Sequence, residues 1–183
     1  MKMRFFIFIQ IILLFLVTSL YAEEVKRAMK LTSPNFKNQE EIPNVYTCEG
    51  KDISPALSWS EVPEGTKSFV LIVDDPDAPD PANPKMTWVH WVLYNIPENS
   101  NSLPEGVKTG DLPKGTREGL NDWKRTGYCG PCPPIGKHRY FHKLYALDIV
   151  LPDLKKSTKV ELEKAMEGHI LEKAELIGLY QKK

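Results

Sequence analysis

The sequence carries no net charge, few cysteines and no catalytic signature. Its 24 lysines and arginines equal its 24 aspartates and glutamates, and only three cysteines occur. The basic residues are scattered along the chain, so no overall field would attract nucleic acid. The His-Glu-x-x-His pattern of zinc proteases and the Gly-x-Ser-x-Gly pattern of serine hydrolases are both missing. We therefore expect no nucleic-acid partner, no cofactor and no catalytic activity, and any anion-binding site must be local.

One long apolar segment stands at the start of the chain. After a short basic stretch, residues 5–17 are apolar except for Gln10, and Ala22 offers the small side chain that a signal peptidase needs. This pattern is typical of an export signal, with an uncleaved membrane anchor as the alternative. We predict a signal peptide over residues 1–22 and a single domain over residues 23–183, exported to the periplasm or secreted. The protein would meet a membrane only through an uncleaved signal segment.

Prolines, 15 in all, separate short runs of strand-like sequence. The segment "EVPEGTK" between the first two runs has turn chemistry suited to antiparallel neighbours. The tail "ELIGLYQ" alternates well enough to be a last strand, with a helix end as the alternative. The chain therefore reads as a strand-rich domain with long loops. The predicted strands cover residues 56–60, 68–74, 87–96 and 138–151.

One helix is predicted near the end of the chain. Thr158 and Glu161 have the spacing of a capping box, in which each side chain bonds the backbone of the other. Gly168 interrupts the pattern. The apolar side of this helix would consist of Val160, Leu162, Ala165 and Met166.

The segment "CGPCPP" has the cysteine spacing of a thiol oxidoreductase. Such an enzyme needs a helix after its first cysteine, and Pro133 and Pro134 exclude one here, so the segment is interpreted as a rigid loop. A Cys129–Cys132 link would close a very small loop, whereas Cys48 paired with either cysteine would constrain the unfolded chain more. We favour a disulfide between Cys48 and Cys132.

Polar and aromatic side chains gather on two of the predicted strands and on the loop between two of them. The period of two places Trp88 and His90 on one face of a strand, opposite Val89 and Trp91. It likewise places His138 and Tyr140 on one face of the second strand. Each residue alone has a plain structural explanation, as a core side chain or a solvated turn. Together they have the makeup of a small polar pocket, to which the second strand adds His138 and Tyr140 and the "DDPDAPDPANP" loop adds aspartates.

In this order, "DDPDAP", "WVHW" and "GPCPPIGKHRY" resemble the phosphatidylethanolamine-binding protein family, in its bacterial Raf-kinase-inhibitor-like branch. The resemblance also includes "CEGKDISPALSWSEVPEGTKSFVLIVDDPDAP" and "AMEGHILEKAELIGLY". It implies a β-rich α+β fold, with a large antiparallel sheet, a smaller second sheet and peripheral helices. It also implies a pocket for phosphate, acetate-like anions or a phosphorylated headgroup. By motif, its ligand-binding residues would be Asp75, Asp77, Trp88, His90, Pro131, His138 and Tyr140.

Physical chemistry suggests how such a pocket would hold an anion. If the Asp75 carboxylate accepts a hydrogen bond from one nitrogen of His90 or His138, it favours the protonated ring, whose other N–H then faces the anion. Tyr140 can donate its hydroxyl, and backbone N–H groups of residues 130–136 can donate more. Affinity would then weaken as pH rises through neutrality.

Three classes of function remain open. We favour a binding module for a small anionic ligand or a phospholipid headgroup. The first alternative is an inhibitor of a protease or kinase, acting through its surface on an unknown protein target. The second is a hydrolase that uses the histidine and aspartate cluster around a metal, although our expectation is that no metal is bound.

Overall fold

The computed structural model describes residues 27–183. The predicted signal peptide, residues 1–22, lies outside the described residues. Among the described residues, no helix is long and apolar enough to cross a membrane.

The larger sheet has six strands in the order β2-β9-β8-β4-β5-β7. Neighbours are antiparallel except for β2 and β9, which pair in parallel. The predicted large antiparallel sheet is therefore confirmed, with one short parallel pair at its edge that makes it mixed. The predicted C-terminal strand is confirmed as β9. The strands are β2 (Glu40–Glu41), β4 (Ser68–Ala78), β5 (Met86–Pro97), β7 (Arg117–Glu118), β8 (Lys137–Leu147) and β9 (Ile170–Gln181).

The smaller sheet consists of β1 (Lys30–Thr32), β3 (Leu57–Ser60) and β6 (Ser102–Leu103), with β3 in the middle. The expectation that β3 and β4 are antiparallel neighbours is wrong, because "EVPEGTK" carries the chain from one sheet to the other. Both edges of β4 are already paired, with β5 and β8. The buried side chains of β3 pack instead on the face of the larger sheet, where Trp59 meets Phe69 edge-on at 5.5 Å between ring centroids.

A single α-helix, α1 (Lys159–Met166), lies within the described part of the chain, along with two short 3-10 helices at Asn44–Tyr46 and Thr109–Asp111. The predicted capping box is present: the Thr158 side chain accepts from the Glu161 N–H, and the Glu161 carboxylate accepts from the Thr158 N–H. Leu162 and Met166 are buried as expected. The expectation that Val160 lies on the apolar side is wrong: it is 73% exposed, because two residues before Leu162 it points to the opposite side of the helix from Leu162 and Met166.

The core has two parts, one on each face of the larger sheet. The face towards the smaller sheet, here called the front, receives Leu71 and Val73 from β4. The opposite face, the back, receives Val70 and Ile72 and is covered in part by α1. Because β4 is buried on both sides, its sequence is almost continuously apolar until Asp74. The acidic residues therefore begin where the two cores end.

The pairing of β4 with β5 contains a bulge at His90. Val73 lies opposite Trp91 and Asp74 lies opposite Val89, which leaves His90 as an extra residue. Val89 consequently packs in the back core and Trp91 in the front core, where its ring meets Tyr128. The expectation that Val89 and Trp91 share a face is therefore wrong, because the alternation of a strand breaks at a bulge.

Candidate ligand-binding site

A cavity of about 420 Å³ opens at the end of the larger sheet where β4 ends and where β5 and β8 begin. β5 and β8 flank β4, so this end brings together residues that are far apart in sequence. The structure thus places both histidine-bearing strands at one end of one sheet, as predicted. Five of the predicted site residues line the cavity: Asp75, Trp88, His90, His138 and Tyr140.

Two of the predicted site residues do not line the cavity. Asp77 accepts two hydrogen bonds from the Arg139 guanidinium, at 2.9 and 2.6 Å, and a third from the Arg139 backbone N–H. The Arg139 hydrogen bonds hold the pKa of Asp77 below its usual value. Pro131 is buried, and its carbonyl accepts from the Cys48 N–H at 3.1 Å. Both residues therefore hold neighbouring segments in place, beside the cavity and not in it.

Asp75 pairs with His138, with 2.7 Å between Oδ2 and Nδ1. The other ring nitrogen of His138 lies 2.9 Å from the Ile135 carbonyl oxygen. A carboxylate and a carbonyl are both acceptors, so His138 satisfies both only when each ring nitrogen carries a hydrogen. The predicted pairing of Asp75 with a histidine is confirmed for His138, but the expectation that its second N–H faces a ligand is wrong, because a backbone carbonyl occupies it.

His90 is arranged differently. Its Nδ1 lies 2.6 Å from the Cys129 carbonyl oxygen, and its ring stands edge-on to Tyr140 with 5.2 Å between centroids. Nδ1 must donate to the carbonyl, so in the neutral ring Nε2 carries the lone pair. Burial lowers the pKa of His90, despite the opposing hydrogen bond to Cys129 and the charge of Asp75. For His90, desolvation therefore outweighs the nearby carboxylates and favours the neutral ring.

Tyr140 supplies the one buried hydroxyl among the side chains that line the cavity. Within residues 27–183 its oxygen makes no hydrogen bond of normal geometry, although it lies near enough to the Asp75 carboxylate to interact with it weakly. Burial first, and then the charge of Asp75 and this weak interaction with it, raise the pKa of Tyr140. The group therefore stays protonated at physiological pH, and its O–H is available to a ligand.

One wall of the cavity is the proline-rich loop that precedes β8. The predicted Cys48–Cys132 disulfide is present, with 5.5 Å between the Cα atoms, and Cys129 is a buried free thiol. The Gly130 N–H donates to Asp52, and a Cβ at Gly130 would lie 2.3 Å from a backbone oxygen of the facing segment, so only glycine fits. The expectation of several free N–H donors here does not hold for Gly130, and the three prolines of the loop have none.

Two exposed apolar residues at the cavity mouth were missed by the sequence reasoning. Trp123 is 39% exposed and Met86 is 52% exposed, and both line the cavity. The Trp123 ring is perpendicular to that of Trp88, with 5.4 Å between centroids. The signal that could have found Trp123 is a tryptophan inside the turn sequence "NDWK", where a large apolar side chain is unusual.

The cavity lining contains neither lysine nor arginine. Within residues 27–183, no group of three or more histidine, cysteine, aspartate or glutamate side chains is placed to hold a metal ion. The cavity can therefore contact a ligand through the Tyr140 hydroxyl as a donor, through His90 Nε2 as an acceptor, and through an apolar wall of aromatic rings and prolines.

Fold and cavity together define a β-rich domain with a small, largely apolar cavity at the end of its main sheet. The family model for phosphatidylethanolamine-binding protein matches residues 32–181. The chain therefore belongs to the phosphatidylethanolamine-binding protein family. It is 50% identical over 155 residues to a UPF0098 protein of Methanothermobacter thermautotrophicus, which covers 84% of this chain and 99% of that protein. A UPF0098 protein of Aquifex aeolicus is 49% identical over 157 residues, covering 84% and 89%.

Two solved structures have the same fold. A putative phosphatidylethanolamine-binding protein homologue from Chlamydia trachomatis is 46% identical, with a TM-score of 0.78 and coverage of 85% of this chain and 99% of that one. YbcL of Escherichia coli, described as a member of the mammalian family, is 33% identical, with a TM-score of 0.77 and coverage of 86% and 100%. The β-rich fold implied by the sequence motifs is thus confirmed.

Proposed function

We propose that this protein is an exported, non-enzymatic binding protein whose cavity takes a small molecule through an oxyacid group, either a phosphate, a carboxylate or a phosphorylated headgroup. The observation that carries the proposal is the hydroxyl of Tyr140, a buried donor beside the ring of His90 that has no hydrogen bond of normal geometry to any described residue. Burying an unpaired hydroxyl costs free energy, so a site that keeps one is suited to an acceptor that arrives from outside.

The rest of the ligand would meet apolar walls. Trp88 and Trp123 form two perpendicular faces, and Met86 and Pro133 extend them. The volume of about 420 Å³ suits a small organic molecule better than a bare ion. We therefore expect a ligand whose oxyacid group is attached to a flat or apolar body.

Export is proposed from the apolar segment at the start of the sequence. The Cys48–Cys132 disulfide supports it, because both cysteines are exposed and such bonds persist mainly in oxidising compartments. If this part of the proposal is right, the protein is recovered from the medium or the periplasm without residues 1–22. Cell fractionation and mass spectrometry of the recovered protein test it. A mature protein that still begins at Met1 and stays in the cytosol would contradict it.

The binding proposal is tested with Tyr140→Phe and phenyl phosphate as the probe. Calorimetry should give an affinity about tenfold weaker for the variant, because the ligand loses one hydrogen bond in a buried site. Tyr145→Phe is the matched control, since Tyr145 packs in the back core, away from the cavity. Equal affinity in Tyr140→Phe and in the unmodified protein would remove the hydroxyl from the site.

A further inference from the structure

We infer that the cavity selects an oxyacid group that brings its own proton, and that it discriminates against an anion of the same shape and charge that has none. This inference rests on the proposed function and names the form of the ligand that the site takes. For a phosphate monoester, the selected form is the monoanion, which carries one P–O–H. A sulfate ester has the same charge and shape but no such hydrogen.

The inference follows from which polar groups around the cavity are already paired. Both carboxylate oxygens of Asp75 are used, one by His138 and the other by the Asp77 N–H at 2.8 Å. Both nitrogens of His138 are used as well. Among these groups, Tyr140 is left with a free O–H, and His90 with a nitrogen that makes no hydrogen bond in the described part of the chain.

These two free groups have opposite hydrogen-bonding character. The Tyr140 hydroxyl donates, whereas His90 Nε2 accepts, because the hydrogen of the neutral ring is held on Nδ1 by the Cys129 carbonyl at 2.6 Å. Both residues line the same cavity and their ring centroids are 5.2 Å apart, so the two groups are presented to the same ligand. A group that contacts both must therefore accept at one oxygen and donate from another.

The surroundings of His90 keep it in the acceptor state in the free protein. The ring is enclosed by the rings of Tyr140 and Trp123, and its burial disfavours the charged form. His138 is already matched by Asp75, so that carboxylate is not a free counter-ion. Three other titratable groups act electrostatically on the His90 ring. The carboxylates of Asp74 and Asp122 favour its charged form, whereas the buried His142 would repel it if both rings were charged.

Phenyl phosphate and phenyl sulfate are the matched probes. At pH 6 phenyl phosphate is present in part as its monoanion, because a phosphate monoester titrates near that pH. The protein should bind phenyl phosphate about ten- to a hundredfold more tightly than phenyl sulfate there, since sulfate leaves Nε2 unpaired or forces His90 to take a proton. Above pH 6, the affinity for phenyl phosphate should fall about tenfold for each pH unit, as the monoanion disappears.

His90→Gln and Tyr140→Phe separate the two contacts. The terminal amide of glutamine can both donate and accept, so His90→Gln should bring the ratio of the two affinities close to one. Tyr140→Phe should weaken binding of both probes and leave their ratio largely unchanged. Thermal unfolding of each variant confirms that it is folded at the temperature of the titration.

Three results decide the matter. A ratio of ten or more that collapses in His90→Gln supports the inference. Equal binding of the two probes at pH 6, or tighter binding of phenyl sulfate, would overturn it and leave the proposed function standing. Failure of both probes to bind at millimolar concentration over the whole pH range would overturn the proposed function and the inference with it.

Discussion

Asp74 and Asp75 are adjacent on β4 and equally buried, yet they serve opposite faces of the sheet. Asp74 points to the back, where Nζ of Lys159 and Nζ of Lys143 each lie 2.7 Å from one of its oxygens. Nζ of Lys143 is close to both carboxylate oxygens of Asp74, but it donates its hydrogen bond to Oδ2, at 2.8 Å, because the angle to Oδ1 is unfavourable. Asp75 points to the front, where His138 is its ion-pair partner.

The comparison shows two ways of burying a carboxylate. On the back, two lysines tie β8 and α1 to β4 around one charge, and that cluster belongs to the structure of the domain. At the cavity, Asp75 and His138 form an ion pair whose two charges neutralise each other. The groups left to contact a ligand are therefore uncharged. Another buried polar side chain of the same sheet, His142, has no hydrogen-bond partner of normal geometry for either ring nitrogen within residues 27–183.

The largest effect is expected on the back face. Asp74→Asn would leave two lysines close together in a partly buried position, with the more exposed Glu163 carboxylate, 3.6 Å from Lys159, as a weak substitute. The free energy of unfolding should therefore fall by about 3–5 kcal/mol. Urea denaturation measures it, and Glu175→Gln, which breaks an exposed ion pair with Lys173, should cost less than about 1 kcal/mol. A loss for Asp74→Asn no larger than for this control would show that the buried cluster is energetically ordinary.

His142 should make the protein less stable in acid. Burial lowers its pKa to about 4, whereas the unfolded chain titrates near 6.5. Its contribution is therefore complete above about pH 6.5 and is lost as pH falls towards 4, by roughly 3 kcal/mol in total. In His142→Leu the slope of unfolding free energy against pH should flatten over this range, and the remaining slope would come from His90 and from carboxylates whose pKa is lowered in the folded protein, such as Asp77. The exposed His169→Leu serves as control, and an unchanged slope in His142→Leu would rule out this origin.

A smaller effect is expected at the cavity. Asp75→Asn keeps an oxygen for the Asp77 N–H and can still bond His138, but it removes the charge that balances the ring. The free energy of unfolding should fall by about 1–2 kcal/mol, less than in Asp74→Asn. Denaturation of both variants in one buffer makes the comparison. A larger loss for Asp75→Asn would reverse the order proposed for the two carboxylates.

Much of the cavity could be predicted because its residues follow local rules. Strand alternation placed Trp88 with His90 and His138 with Tyr140, and both pairs line the cavity. The capping box at Thr158 and the end of the apolar run at Asp74 are equally local. Pairing rules do not say where an alternation breaks, so the bulge at His90 could not be foreseen.

What the sequence determined by itself is the five longest strands, the helix start and the residue types gathered at one end of the sheet, because these depend on neighbours along the chain. Only the tertiary structure decided which groups remain free. Asp75 pairs with His138 and not with His90, and Asp77 pairs with Arg139. The second ring nitrogen of His138 lies within hydrogen-bond distance of a backbone carbonyl. Each of those choices depends on distances of a few ångströms between segments far apart in sequence, and no periodicity contains them.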